Sequence, residues 1–178
     1  EPGELHEEPE VRIETILPVF KESSVMKALL DTHPYEEPAY DLYPLRNTWS
    51  QVGAGIIGEL KEPESETEFL KRIKQLFEVG CVKHSRMKGR LIQTVALCGG
   101  SGAFLLPNAV KCHADVFITG EVKYHDYFSY ENDILIAEIG HYESEQYTKE
   151  IFYTIIRELF PNLALQQCKV NTNPIKYL

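Results

Sequence analysis

Three apolar strands, each followed at once by glycine and then by helix-forming residues, constrain this chain more than any other feature. Gln93–Cys98 runs into Gly99-Gly100-Ser101-Gly102 and a helix expected through Val110. Asp115–Thr119 runs into Gly120 and a helix expected through about Phe128. Ile134–Ile139 runs into Gly140 and a long helix expected through Leu159, with a last strand expected over Leu163–Val170. Parallel neighbours need a long crossover between them, usually a helix. The repeat therefore predicts an α/β fold, a mostly parallel sheet with helices on both faces. The strands at 93–98, 115–119 and 134–139 should lie side by side.

The upstream sequence is less regular. Gln51–Leu60 reads as a strand whose glycines at 53, 55 and 58 suggest bulges or close backbone approach. Ser65-Glu66-Thr67-Glu68 reads as a helix start with a Ser65/Glu68 capping box, and Phe69, Leu70, Ile73, Leu76 and Phe77 follow at helical spacing. Val11–Leu17 alternates and reads as a strand. Ser23 is expected to cap a helix carrying Val25, Met26, Leu29 and Leu30, which Pro34 ends at or before His33. Tyr40, Leu42 and Leu45 then suggest a second strand. Such a strand–helix–strand unit could hardly bury a core alone, so it should pack on further sequence or on another chain. Asn47-Thr48-Trp49-Ser50 reads as a boundary, giving residues 1–47 and 48–178 as the two parts. The sequence opens without Met, in what reads as the middle of a loop, and so reads as a piece of a longer protein.

Charge narrows the partners. The net charge of −9 argues against nucleic acid or an anionic membrane as the main one. Part of that acid is local: Glu1, Glu4, Glu7, Glu8 and Glu10 read as a solvated loop. No apolar run approaches the roughly 18 residues that span a bilayer, and no signal peptide is visible. Cytoplasmic localisation is expected. Cys81, Cys98, Cys112 and Cys168 form no C-x-x-C pair and read as reduced thiols, not as a zinc site.

In a sheet of this kind, ligands bind outside the carboxyl ends of the strands. Two successive strand ends each present a His and a Glu four residues apart, Glu121 with His125 and His141 with Glu145. On a helix that spacing puts the two side chains on one face, and an imidazole beside a carboxylate supplies two ligands for a divalent metal. Two are too few for a closed site. Each pair has a plainer reading. His141 can cap a helix whose first turn favours the acid Glu145, and Glu121 with His125 can be a solvated helix pair. Gly99–Gly102 can be a tight turn or a phosphate cradle, but no Gly-Lys-Ser/Thr follows to make it a P-loop. His6, His84 and His113 have no convincing partners in sequence. Tyr124, Tyr127, Phe128 and Tyr130 read as helix packing. Thr32–Leu45, with His33, Glu36, Glu37 and three tyrosines between prolines, reads as a rigid connection.

Four motifs in combination resemble the Nif-three family (NGG-interacting factor three), whose bacterial members are named GTP cyclohydrolase 1 type 2 homologues. They are Thr32–Leu45, Cys98–Gly102, Ala114–Glu121 and Gly140–Glu145, and the resemblance runs from about Val11 to the C-terminus. It implies an α/β protein with a dinuclear metal centre and a toroidal homohexamer. Larger members carry an inserted ferredoxin-like module similar to PII and CutA proteins, and residues 1–47 look like the C-terminal part of it. Residues 48–178 look like the second half of the metal-binding lobe.

By this resemblance His141 and Glu145 are metal ligands. The family's other ligands, a pair of histidines and an acid, belong to an N-terminal half not contained in this chain. Thr119 and Gly120 would bind substrate, and Glu121 and His125 would move protons in the same cleft. Two divalent ions, zinc, iron or manganese, are implied per full-length subunit, with the site incomplete in this chain. The implied activity is metal-dependent hydrolysis of a small substrate, a nucleotide-like molecule being one candidate. The alternative is a non-catalytic metal-binding or regulatory assembly whose PII-like module senses a small ligand.

Overall fold

A computed structural model describes residues 9–47 and 52–176 of the chain. The acidic residues Glu1 to Glu8, His6, Gln51 and the boundary at 48–50 lie outside the described residues. The chain divides into two units, residues 1–48 and 49–178.

In the first unit a short 3₁₀ turn, Val19–Lys21, leads into helix α1, Glu22–Thr32. The cap differs from expectation. Lys21 holds the N-cap position, and Ser24 donates its hydroxyl back to the Lys21 carbonyl at 2.8 Å, leaving Ser23 inside the helix. The helix ends at His33, as the following proline requires. The two expected flanking strands are not formed. Val11–Leu17 and Tyr40–Leu45 have no ladder partner among the described residues. Their apolar side chains stand open, with Val11 88% and Ile13 87% exposed. Alternation reports that a segment has two faces; a strand also needs a neighbour to bond. In the Thr32–Leu45 segment, His33 Nδ1 accepts the Tyr35 N–H at 3.1 Å and the two rings meet edge to face.

The second unit is built on a five-stranded sheet. Its strands are β1 (Ile56–Ser65), β2 (Lys83–His84), β3 (Leu91–Cys98), β4 (Val116–Thr119) and β5 (Leu135–Glu138), in the spatial order β1-β3-β4-β5-β2. β3, β4 and β5 run parallel, as the strand–glycine–helix repeat predicts, and β1 and β2 cover the two edges antiparallel. The parallel register aligns the strand ends. Cys98 pairs with Thr119, and Thr119 with Glu138. β4 and β5 are buried along their whole length, which explains their unbroken apolar sequence. β1 is an edge strand, and its register shifts between Glu59 and Glu64, where Pro63 is tolerated. β2 has only two residues and no pattern of its own that a sequence could announce.

Successive residues of β4 point to opposite faces and feed two cores. On one face Val116 and Ile118 pack with Phe69, Leu70 and Ile73 of helix α2 (Glu66–Leu76). Ser65 caps α2, accepting the Glu68 N–H at 3.3 Å. On the other face Phe117 and Ile136 pack with Leu106 and Ala109 of helix α3 (Leu106–Lys111). Tyr127 and Tyr130 of helix α4 (Tyr124–Tyr130) close that side. Helices thus cover both faces of the sheet.

The long helix expected after Gly140 is two helices, α5 (His141–Glu145) and α6 (Thr148–Leu159). Tertiary contacts break it. Gln146 Nε2 donates to the Phe77 carbonyl at 3.2 Å and Tyr147 Oη to the Leu76 carbonyl at 3.3 Å, satisfying groups left over at the end of α2. The strand expected at Leu163–Val170 is absent from the sheet, again for want of a neighbour. No helix among the described residues is long and apolar enough to cross a membrane.

Candidate functional site

Because β3, β4 and β5 end in register, the loops that follow them meet. Gly140 takes φ +96°, a conformation that lets the chain turn from β5 directly into α5. His141 therefore sits at the first position of α5, with Glu145 one turn on. The loop after β3 approaches from the other side. Gly100 takes φ +59°, and a Cβ there would fall inside contact distance of Glu145 Oε1 and 3.4 Å from His141 Nε2. Only a residue without a side chain lets this loop lie against the pair.

The Gly100 backbone joins the three strand ends. Its N–H donates to Ser144 Oγ at 2.8 Å, and the Ser144 hydroxyl donates to the His141 carbonyl at 2.8 Å. Its carbonyl accepts from the N–H groups of Gly102, Gly120 and Glu121 at 3.0, 3.0 and 3.1 Å. It also accepts the Thr119 hydroxyl at 3.2 Å. Ser144 carried no assignment from sequence, and nothing but its position inside the Gly140–Glu145 motif could have marked it.

Three of the expected site side chains come together. Glu121 Oε1 lies 3.0 Å from His141 Nδ1, and Glu145 Oε2 lies 3.3 Å from His141 Nε2. Ser101 donates its hydroxyl to Glu121 Oε2. The Glu121 carboxyl is held below its ordinary pKa, first by this Ser101 hydrogen bond and then by the one from His141. All three side chains are about half exposed, at 42% for His141, 54% for Glu121 and 53% for Glu145.

The other expected residues behave differently. His125 is exposed on α4, its ring against Tyr124, and it makes no hydrogen bond or ion pair with His141 or either glutamate. Thr119 is fully buried and its hydroxyl bonds Gly100 and Gly102, so it braces the loops. Gly120 is buried as well. A Cβ there would meet Gly100 O at 2.7 Å and His141 Cα at 2.9 Å. Thr119 and Gly120, expected to bind substrate, thus lie beneath the loop surface, with Glu121 the next residue out. Cys98 lies nearby but is no ligand candidate. Its thiol donates to the Ala54 carbonyl at 3.1 Å, and burial first, then the Glu145 charge, pushes its pKa up. On its far side, residues 53–56 and Leu97–Gly99 line an open hollow of about 480 Å³.

The donor set suits a divalent metal in part. Two ligands each about 2.1 Å from one ion stand roughly 3.0–3.4 Å apart, and the His141 Nε2 to Glu145 Oε2 separation of 3.3 Å falls in that range. Glu121 faces the other ring nitrogen, so it does not converge on the same point. Among the described residues no three His, Cys, Asp or Glu groups surround a common position.

The match to known proteins covers nearly the whole chain. The family model Duf34/NIF3 (NGG1p interacting factor 3) matches residues 9–174. The chain belongs to the DUF34/NIF3 family. A relative in Halalkalibacterium halodurans named "GTP cyclohydrolase 1 type 2 homolog" is 33% identical over 99% of this chain and 48% of its own. One of the same name in Bacillus subtilis is 35% identical over 84% of this chain and 40% of its own. Among solved structures, Staphylococcus aureus protein SA1388 superposes with a TM-score of 0.72 at 26% identity, over 93% of this chain and 55% of that one. A Bacillus cereus protein related to NIF3 gives 0.71 at 28% identity, over 91% and 46%. The DUF34/NIF3 chain described here thus spans about half the length of the curated relatives it matches.

Proposed function

We propose that His141 and Glu145 are two ligands of a dinuclear divalent-metal centre in a metal-dependent hydrolase of a small substrate. The observation that carries this reading is the 3.3 Å pair itself, with Gly100 kept free of a side chain in front of it. A bound divalent ion, zinc, iron or manganese, would supply Lewis acidity and acidify water. The chain's own residues hold the ligands in place. Ser144 ties the first turn of α5 to the Gly100 loop, and the Gly100 carbonyl gathers the backbone of Gly120 and Glu121 beneath them. The remaining ligands would come from sequence beyond these 178 residues, which the half-length match to the relatives supports.

Several further features go with this reading. Residues 1–47 are proposed to complete a PII/CutA-like insert, since the two apolar segments flanking α1 are strand-like and unpaired among the described residues. Self-association into a homohexamer is proposed, supported by α6, which leaves Ile151 58%, Phe152 59% and Ile155 45% exposed. The relatives' name suggests a nucleotide-like substrate, and the site is proposed to work in the cytoplasm.

Metal content decides the matter. A protein of the relatives' full length that carries these residues should hold about two divalent ions per subunit. His141→Ala and Glu145→Ala should each lower that content and any metal-dependent hydrolysis together. Full metal content in both variants would refute the assignment. Full metal with no turnover of a nucleotide panel would instead favour the regulatory assembly.

A further inference from the structure

We propose that Glu121 is a positioning residue, whose carboxylate holds the Nδ1–H of His141 and so presents the Nε2 lone pair on the side of Glu145. The inference rests on the metal reading of His141 and Glu145 and adds a role that reading leaves open.

The argument starts from proton counting. A neutral imidazole carries one N–H and one lone pair, on different nitrogens. His141 has a carboxylate at each nitrogen, so while the ring is neutral only one of the two can receive the proton. The other must face the lone pair, an arrangement that is repulsive unless a cation comes between them. The two glutamates therefore cannot play the same part.

Their surroundings say which is which. Glu121 is the nearer, at 3.0 against 3.3 Å. It is also fixed twice over. Its second oxygen is held by the Ser101 hydroxyl, and its backbone N–H is held by the Gly100 carbonyl at 3.1 Å. Glu145 makes no second polar contact among the described residues, so one of its oxygens is uncommitted. A doubly held carboxylate behind a ring and a singly held one in front is the arrangement by which a carboxylate sets the tautomer and orientation of a metal-ligating histidine. Ser101, Glu121 and His141 thus form a chain of hydrogen bonds that ends at the Nε2 lone pair. Both oxygens of Glu121 are engaged, Oε1 by His141 and Oε2 by Ser101.

The ring tautomer tests this without any metal or turnover. Long-range proton–nitrogen spectra of the 178-residue chain, at a pH where imidazoles are neutral, report which ring nitrogen of His141 is protonated. His141→Ala identifies the signals. The expected result is an Nδ1–H tautomer in the wild type. Glu121→Ala removes the acceptor at Nδ1, so the proton should move to Nε2 and face the Glu145 carboxylate. Ser101→Ala should leave the tautomer in place but broaden the signals as Glu121 loosens. All three side chains are exposed enough for the variants to fold. An Nε2–H tautomer in the wild type, or no change in Glu121→Ala, would overturn the proposal.

A second arm separates this idea from the metal reading. In the full-length protein, Glu121→Gln should weaken zinc binding, measured by chelator competition, by about 10–100-fold. If His141→Ala abolishes zinc binding and Glu121→Gln leaves it unchanged, the positioning role falls while the metal site stands. If neither affects zinc, the metal reading falls, and the tautomer alone decides what Glu121 does.

Discussion

Gly100 and Gly120 lie in the same cluster, yet substituting each by alanine should fail in different ways. At Gly100 the backbone has φ +59°, and an L-residue there costs roughly 1–2 kcal/mol. The new methyl would meet the carboxylate end of Glu145, whose side chain is 53% exposed and free to swing into solvent. Little further cost should arise, so Gly100→Ala should lose about 1–2 kcal/mol of stability. At Gly120 the obstacles are Gly100 O at 2.7 Å, Ser144 Oγ at 2.8 Å and His141 Cα at 2.9 Å. Two of these are backbone and cannot turn aside. Overpacking costs about 1–3 kcal/mol. Forcing the Gly100 carbonyl away also gives up hydrogen bonds worth about 1 kcal/mol each. Gly120→Ala should therefore lose about 3 kcal/mol or more. Urea denaturation followed by far-ultraviolet circular dichroism measures both. The His141 ring signals should show the reverse ranking of local damage, with Gly100→Ala displacing Glu145 from the ring while the fold survives. Equal losses in the two variants, or a loss below about 1 kcal/mol for Gly120→Ala, would refute this account of the cluster.

Three other outcomes can be checked directly. The 178-residue chain should bind divalent metal weakly, because two protein ligands leave an ion mostly hydrated; calorimetry showing tight binding that survives His141→Ala would move the site elsewhere. Asp115→Ala should cost about 1–3 kcal/mol by urea melt, since Asp115 Oδ2 accepts the N–H groups of Gln93 at 2.8 Å and Thr94 at 2.7 Å, and Asp115→Asn should recover part of it. Tyr127 is pushed above the ordinary phenol pKa, first by burial and then by Glu138, which accepts its hydroxyl at 2.9 Å. A raised folded value leaves stability intact below the unfolded phenol value of about 10 and erodes it as pH rises beyond. The wild-type urea midpoint should thus fall more steeply above about pH 10 than that of Tyr127→Phe.

The sheet was legible where its sequence signal was local. β3, β4 and β5 end in glycine turns, and their apolar runs reflect burial on both faces. The segments 11–17, 40–45 and 163–170 carry a comparable alternation without a ladder, because pairing depends on a neighbour that alternation cannot name. The break between α5 and α6 was hidden for a related reason: Gln146 and Tyr147 read as helical until the end of α2 is placed beside them. At the site, the i,i+4 spacing of His141 and Glu145 was visible, and strand-end reasoning pointed to Glu121. The spacing that paired Glu121 with His125 misled, since α4 begins only at Tyr124 and carries His125 off into solvent. Which ring nitrogen Glu121 would face, and that Ser101 would stand behind it, depended on how three loops meet.

The Gly100 carbonyl takes four donors on two lone pairs. In mechanical terms that peptide plane is a common hub for the loops that follow β3 and β4. Rotation of the plane would withdraw the acceptor from Gly102, Gly120, Glu121 and Thr119 at once, while the Gly100 N–H, which lies on the preceding peptide plane, would keep Ser144. Gly120 and Glu121, whose N–H groups share that one acceptor, should accordingly show amide exchange with one opening rate.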